Sequence, residues 1–197
     1  GTDISGVTGL DAGILDFQNA GNVGVTLDAA QNGTLTATNT AATQTITLTE
    51  ADTFTALAGI ERYLLSGAGA NTIILSDGGQ SITTGVNSST QTVNTGSETT
   101  IIGTYVGNAT SIDVLEIETT STNISTATGL TSAANWDQIT LATNRSATMT
   151  ISQNELVSTA TGANTITLSD AGTATGISSV EGYYLADGAN TFTMVAG

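Results

Sequence analysis

Almost every side chain here that could do chemistry is a carboxylate. Seventeen Asp and Glu stand against two basic residues, Arg62 and Arg145, with no His, Cys or Lys. Three groupings invite a chemical reading. Glu61 and Glu181 occupy equivalent positions beside predicted strands in two distant parts of the chain. Asp113, Glu116 and Glu118 crowd one short run, where the alternating period of a strand puts Glu116 and Glu118 on one face. Asp187 opens a Gly-Ala-Asn turn. Neighbouring carboxylates repel one another unless a hard cation relieves them, so calcium is one expectation for Asp113, Glu116 and Glu118. Glu61, Glu181 and Asp187 are further candidate calcium ligands, and Glu61 and Glu181 could instead make a charged contact between subunits. The other reading is a solvated strand edge or face.

The remaining chemistries fail for want of partners. Paired carboxylates can hydrolyse glycosides, but only Trp136 and four tyrosines offer stacking platforms for a sugar. Polysaccharide lyases need cations to hold enolate-like charge and a base to take the proton; two arginines are too few, and neither His nor Lys is present. Serine nucleophiles have no His partner, and zinc has neither of its preferred ligands. The chain is therefore expected not to be an enzyme, with a glycan-active β-helix kept as an alternative. A formal net charge of −15 excludes a phosphate-binding groove and repels anionic membranes. No apolar run approaches the ~20 residues that span a bilayer, and no segment reads as a signal peptide. The chain opens on Gly1 rather than Met, which reads as a mature product or a piece of something longer.

Carboxylates on strands need a scaffold, and composition predicts which. Threonine occurs 41 times, glycine 23 times and proline never. Continuous sheets reject proline, which cannot donate a ladder hydrogen bond. Ile46-Thr47-Leu48, Ile139-Thr140-Leu141, Met149-Thr150-Ile151, Ile166-Thr167-Leu168 and Phe192-Thr193-Met194 share one apolar–Thr–apolar pattern. Such alternation marks half-buried strands, and Gly, Asn, Asp and Ser clusters separate them as turns. One helical turn is expected around Gln153-Asn154-Glu155-Leu156, and no long helix fits anywhere.

An internal repeat runs through the chain. Thr45-Ile46-Thr47-Leu48-Thr49-Glu50-Ala51 matches Thr165-Ile166-Thr167-Leu168-Ser169-Asp170-Ala171, and at the same offset Tyr63 and Leu65 fall over Tyr183 and Leu185. The match closes on Ala70-Asn71-Thr72-Ile73 over Ala189-Asn190-Thr191-Phe192, after a single deletion. Fainter copies lie at 112–117 and within 5–20. A shorter beat lies inside the long one: Ile46 to Ile73, Ile112 to Ile139 and Ile139 to Ile166 are equal steps, and Ile166 to Phe192 is nearly the same. It predicts one elongated all-β domain over 1–197: a parallel β-solenoid (β-helix) of about 27 residues per coil, in roughly seven coils and a rod about 35 Å long. A β-sandwich is the alternative fold. Residues 78–110 are weakly patterned and read as a loose coil or a surface loop. Asn71, Asn164 and Asn190 each end a Gly-Ala-Asn step before an apolar strand. They are expected to be structural turn residues in the left-handed region, the last two stacked one coil apart as an amide ladder.

Gly67-Ala68-Gly69-Ala70-Asn71-Thr72-Ile73 resembles one RTX nonapeptide, with Ser66 in place of the first Gly and Asn71 in place of the Asp. Asp187-Gly188-Ala189-Asn190-Thr191-Phe192 departs further. With Gly59-Ile60-Glu61 and Ser179-Val180-Glu181 leading into strands, the texture is similar to the Thr/Gly/Ala-rich β-repeat regions of type-I-secreted bacterial surface-layer proteins and giant adhesins. The likeness in style covers most of the chain, and the recognisable motif only a small part of it. The resemblance implies a secreted bacterial cell-surface protein, calcium sites, partners that are copies of itself or a cell-surface glycan, and a structural role in a surface layer, matrix filament or adhesin stalk. A rival reading is ice binding, since Thr45-Ile46-Thr47, Thr148-Met149-Thr150, Thr165-Ile166-Thr167 and Thr191-Phe192-Thr193 resemble the threonine arrays of solenoid antifreeze proteins.

Overall fold

The apolar–Thr–apolar runs form strands, and every strand pairing among the described residues is parallel. The computed structural model describes residues 2–7, 13–16, 22–38, 43–86 and 88–195, so most of the faint repeat within 5–20 lies outside the described residues. The fold is a β-solenoid of about nine coils with about 20 residues in each. Parallel pairing throughout excludes the sandwich, whose sheets are antiparallel.

One six-stranded sheet stacks Thr2–Asp3, Val23–Leu27, Gln44–Leu48, Arg62–Leu65, Ser81–Thr84 and Tyr105–Val106. A second stacks Thr53–Thr55, Asn71–Ile74, Thr90–Asn94, Ile112–Ile117, Gln138–Leu141 and Val157–Ala160. A third holds Ser121–Asn123, Ser146–Met149, Thr165–Leu168 and Gly182–Tyr184. Two short ladders join Ile14–Asp16 to Thr36–Thr38 and Thr173–Thr175 to Thr191–Thr193. The register sets like on like. Val25, Ile46, Tyr63, Ile82 and Tyr105 form one inward column, and Phe54, Ile73, Val93, Leu115, Ile139 and Val157 another. All are buried, and full burial of one aliphatic side chain is worth about 1.5–3 kcal/mol.

The coil is shorter than the sequence beat, and its length varies. Thr45 lies beside Arg62, a short step, whereas Ser121 lies beside Ser146, a longer one. Ile46, Ile73, Ile139 and Ile166 do point into the core, and Phe192 packs against it half-buried. They belong to different sides of the solenoid, however. From Ile46 the chain returns to the same side at Tyr63 in the next coil, then runs on around a corner to reach Ile73. The step from Ile46 to Ile73 is thus one coil plus one corner. Ile112, from the fainter copy, faces outward.

The described residues of the weakly patterned stretch 78–110 are ordinary solenoid, with Ile82, Val93, Ile101 and Tyr105 inside. Tyr105 meets Trp136 edge-on, with ring centroids 5.7 Å apart. Successive coils approach so closely here that a Cβ on Gly129 (φ +80°) would lie 1.8 Å from the Tyr105 carbonyl oxygen.

Among the described residues two α-helices interrupt the strands, α1 (Ala29–Thr34) and α2 (Ile151–Asn154), each opened by a capping box. Asp28 and Gln31 close the first, Thr150 and Gln153 the second. The expected turn at Gln153 is present; α1 is an addition to the expectation. The second-side ladder breaks above each helix, between Thr36–Thr38 and Thr53–Thr55 and again between Val157–Ala160 and Thr173–Thr175. Across each break an asparagine amide supplies the missing hydrogen bond: Asn32 to the Thr55 carbonyl at 2.9 Å, and Asn154 to the Thr175 carbonyl at 3.0 Å.

Candidate functional site

The six expected calcium ligands are held at separate places. Glu61 accepts the backbone N–H of Gln44 at 2.8 Å, and Glu181 that of Asn164 at 2.6 Å. Each carboxylate therefore fastens the start of the strand in the preceding coil, a charge-assisted bond stronger than a neutral one. Asp113 faces inward and is fully buried. Its oxygens accept from the Asn108 N–H (2.7 Å) and the Ser111 hydroxyl (3.1 Å), while its own N–H donates to Asp137 at 2.8 Å. Burial raises the Asp113 carboxyl above the ordinary carboxylate range; hydrogen bonds from Asn108, Thr84 and Ser111 pull it back, and the charge of Asp137 pushes it up. Glu116 faces outward and accepts from the Asn94 amide at 3.1 Å, and Glu118 lies on the same face. Asp187 is exposed in the turn before Gly188. Among the described residues no three Asp, Glu, His or Cys converge as a metal cage.

The three turn asparagines bind backbone and side chains of this chain. Asn164 accepts the Arg145 N–H at 2.6 Å and donates to the Thr161 carbonyl at 2.7 Å. Asn190 accepts the Gly172 N–H at 3.1 Å and donates to the Ala186 carbonyl at 2.6 Å. The left-handed residue of each turn is the glycine two positions earlier, Gly69, Gly162 or Gly188, because glycine carries no Cβ to clash there. Nor do Asn164 and Asn190 form a ladder. They lie at different corners, each tied to its own preceding coil. The stacked amides belong instead to Asn71 and Gln91, register neighbours joined at 2.7 Å.

Comparison with known proteins gives no relative. No family model, curated protein or solved structure matches this chain. Its chemistry has to be read from its own geometry.

That geometry singles out residues the sequence reading passed over, the corner glutamines. The carboxamide of Gln31 donates to the carbonyls of Ile4 (2.8 Å) and Val7 (3.1 Å), which close a tight turn one coil below. Gln80 does the same to Leu57 (2.9 Å) and Ile60 (3.1 Å), and Gln153 to Ile124 (2.9 Å) and Ala127 (3.3 Å). Each glutamine oxygen accepts local backbone N–H groups: that of Asp28, those of Ser76 and Asp77, and that of Thr150. One side chain thereby locks two coils. The signal was present as Asp28-x-x-Gln31, Asp77-x-x-Gln80 and Thr150-x-x-Gln153.

Among the described residues the outer faces carry no long threonine array. Thr191 and Thr193 lie beside Thr173 and Thr175, but Thr45 and Thr47 are followed by Arg62 and Leu64, and Thr165 and Thr167 by Gly182 and Tyr184. Two coils is the longest run of Thr-x-Thr pairs among the described residues. No described helix is long and apolar enough to cross a membrane.

Proposed function

We propose that this chain is a structural, self-assembling extracellular module of a bacterial surface layer, matrix filament or adhesin stalk. The observation that carries the reading is the parallel stacking of coils, with like side chains set on like in inward columns. A parallel coil is a template for adding the next, so end-on stacking of such units extends the rod. The function is then mechanical: continuous inward columns and corner locks resist local opening, and the acidic exterior keeps rods apart laterally. Calcium enters as a bridge between acidic faces of neighbouring copies, since the carboxylates that would meet it are scattered over one chain. Sedimentation velocity and negative-stain imaging across a hundredfold concentration range, with and without calcium, test this. Particles lengthening along one axis with concentration are expected. A monomer at every concentration, in calcium and in chelator, would remove self-assembly.

A further inference from the structure

The outer face of the first six-stranded sheet carries a groove that the packing of the coils does not use. Successive strands place Arg62 beside Ser81, and Thr83 beside Val106. The Ser81 hydroxyl accepts the Thr104 N–H at 3.0 Å, and the Thr104 and Thr128 hydroxyls are bonded at 2.9 Å. Arg62, Ser81, Thr83, Thr104 and Val106 line one groove of about 280 Å³. Neighbouring strands lie ~4.8 Å apart and successive outward residues ~7 Å apart, so these side chains frame a patch of roughly 10 by 7 Å. The volume falls just below the ~300–1,000 Å³ of sites for drug-sized ligands, which suits one sugar residue.

The Arg62 side chain is exposed and makes no hydrogen bond or ion pair among the described residues. One of two cations in a chain of seventeen carboxylates is thus left without a partner of its own. Nor does the fold need it there. In the internal duplication the same position is Gly182, which pairs with Thr165 as Arg62 pairs with Thr45. The hydroxyls around it are equally available. Ser81 accepts from Thr104 and keeps its own proton to give, and the Thr83 side chain makes no hydrogen bond among the described residues. Val106, 42% exposed, adds an apolar edge to the same surface.

We infer that this groove binds a uronic-acid residue, a sugar ring that carries both a carboxylate and vicinal hydroxyls. The guanidinium gives two parallel N–H groups to the carboxylate, a charge-assisted pair stronger than a neutral hydrogen bond. The Ser81, Thr83 and Thr104 hydroxyls donate to and accept from the ring hydroxyls, and Val106 covers a C–H face. A bare anion would use the arginine and leave the hydroxyls to water; a neutral sugar would leave the arginine unpaired. The site goes beyond the reading of the chain as a stacking module and does not depend on it.

Sodium glucuronate, glucose and sodium acetate are the probes, titrated to tens of millimolar into the full chain at constant ionic strength and followed by backbone amide chemical shifts. Glucuronate should shift the amides of Arg62, Ser81, Thr83, Thr104 and Val106 along one saturable isotherm, with glucose and acetate at least about fivefold weaker. Arg62→Gln should reduce glucuronate to the level of glucose. Thr83→Ala, which removes a hydroxyl and no internal bond, should weaken it roughly threefold. Both positions are on the surface, and a melting temperature equal to the parent's verifies the fold of each variant. Acetate binding as well as glucuronate would overturn sugar recognition, and glucose binding as well would overturn the role of Arg62. Glucuronate binding unchanged by Arg62→Gln, or no saturable shift at these amides, would overturn the site.

Discussion

Tyr63 donates its hydroxyl to Oδ1 of Asn32, in an earlier coil, at 3.3 Å. Because Asn32 spends its amide on the broken ladder, the tyrosine completes a relay from the Leu57 N–H through the hydroxyl to the Thr55 carbonyl. Tyr183 and Asn154 repeat the relay at 3.1 Å beside α2. The chain solved one defect twice with the same two residue types.

Replacing Tyr63 by Phe leaves the Leu57 N–H and Asn32 Oδ1 without that hydroxyl in a dry interior. The expected cost is about 1–2 kcal/mol in urea unfolding. Tyr183→Phe should cost less than half as much, because Tyr183 is only half-buried and water can replace the hydroxyl. Equal losses would show that burial does not set the value of the relay.

Gln80 makes four hydrogen bonds that join two coils. Gln80→Ala should lower stability by about 2–4 kcal/mol, the most of any single corner substitution. Gln80→Glu should be at least as damaging at pH 7, since a carboxylate would face the Leu57 and Ile60 carbonyls, and should recover in part on acidification. Thermal melts at pH 7 and pH 4.5 measure both.

Asp113 gives a pH dependence of defined sign. Its folded carboxyl is raised above the unfolded value, so the native state binds the proton more tightly. Ionisation of Asp113 therefore opposes folding at neutral pH, and stability is regained as pH falls through the raised folded value towards the unfolded value of about 3.9. Asn in its place cannot titrate. The stability of the parent minus that of Asp113→Asn should rise between pH 7 and pH 4, which cancels the other carboxylates. A flat difference would mean that the hydrogen bonds from Asn108, Thr84 and Ser111 cancel the effect of burial.

The alternation that carries the core was legible, because Ile46, Ile73, Ile139 and Ile166 each flank a threonine and each is fully buried. Coil length was not. The step from Ile46 to Ile73 cannot distinguish a return to the same side from a return followed by a corner. Coils as unequal as those from Thr45 to Arg62 and from Ser121 to Ser146 leave no fixed period to detect. The stretch 78–110 looked patternless because Thr84, Gln91 and Thr95 fill inward positions that a hydrophobic pattern assigns to Leu or Ile. The corner glutamines announced themselves locally, through an Asp or Thr one helical turn earlier. The carbonyls they reach lie a whole coil away, and only the stacked fold brings them together.

The turn asparagines separate burial from position. Asn164 is fully buried, and its side chain holds the Arg145 N–H and the Thr161 carbonyl at 2.6 and 2.7 Å. Asn164→Ala strands both groups between coils and should cost about 2 kcal/mol. Asn190 makes the corresponding pair of bonds to Gly172 and Ala186 in the last described coil, where it is half-buried and water reaches the same groups. Asn190→Ala should therefore cost under about 1 kcal/mol. If the last coil becomes covered on assembly, Asn190 becomes as dry as Asn164. Its substitution should then cost more in the assembled particle than in the dilute chain, while the Asn164 penalty stays constant. Melting each variant below and above the assembly concentration distinguishes the two. A concentration-independent Asn190 penalty would mean that the C-terminal coil stays open in the particle.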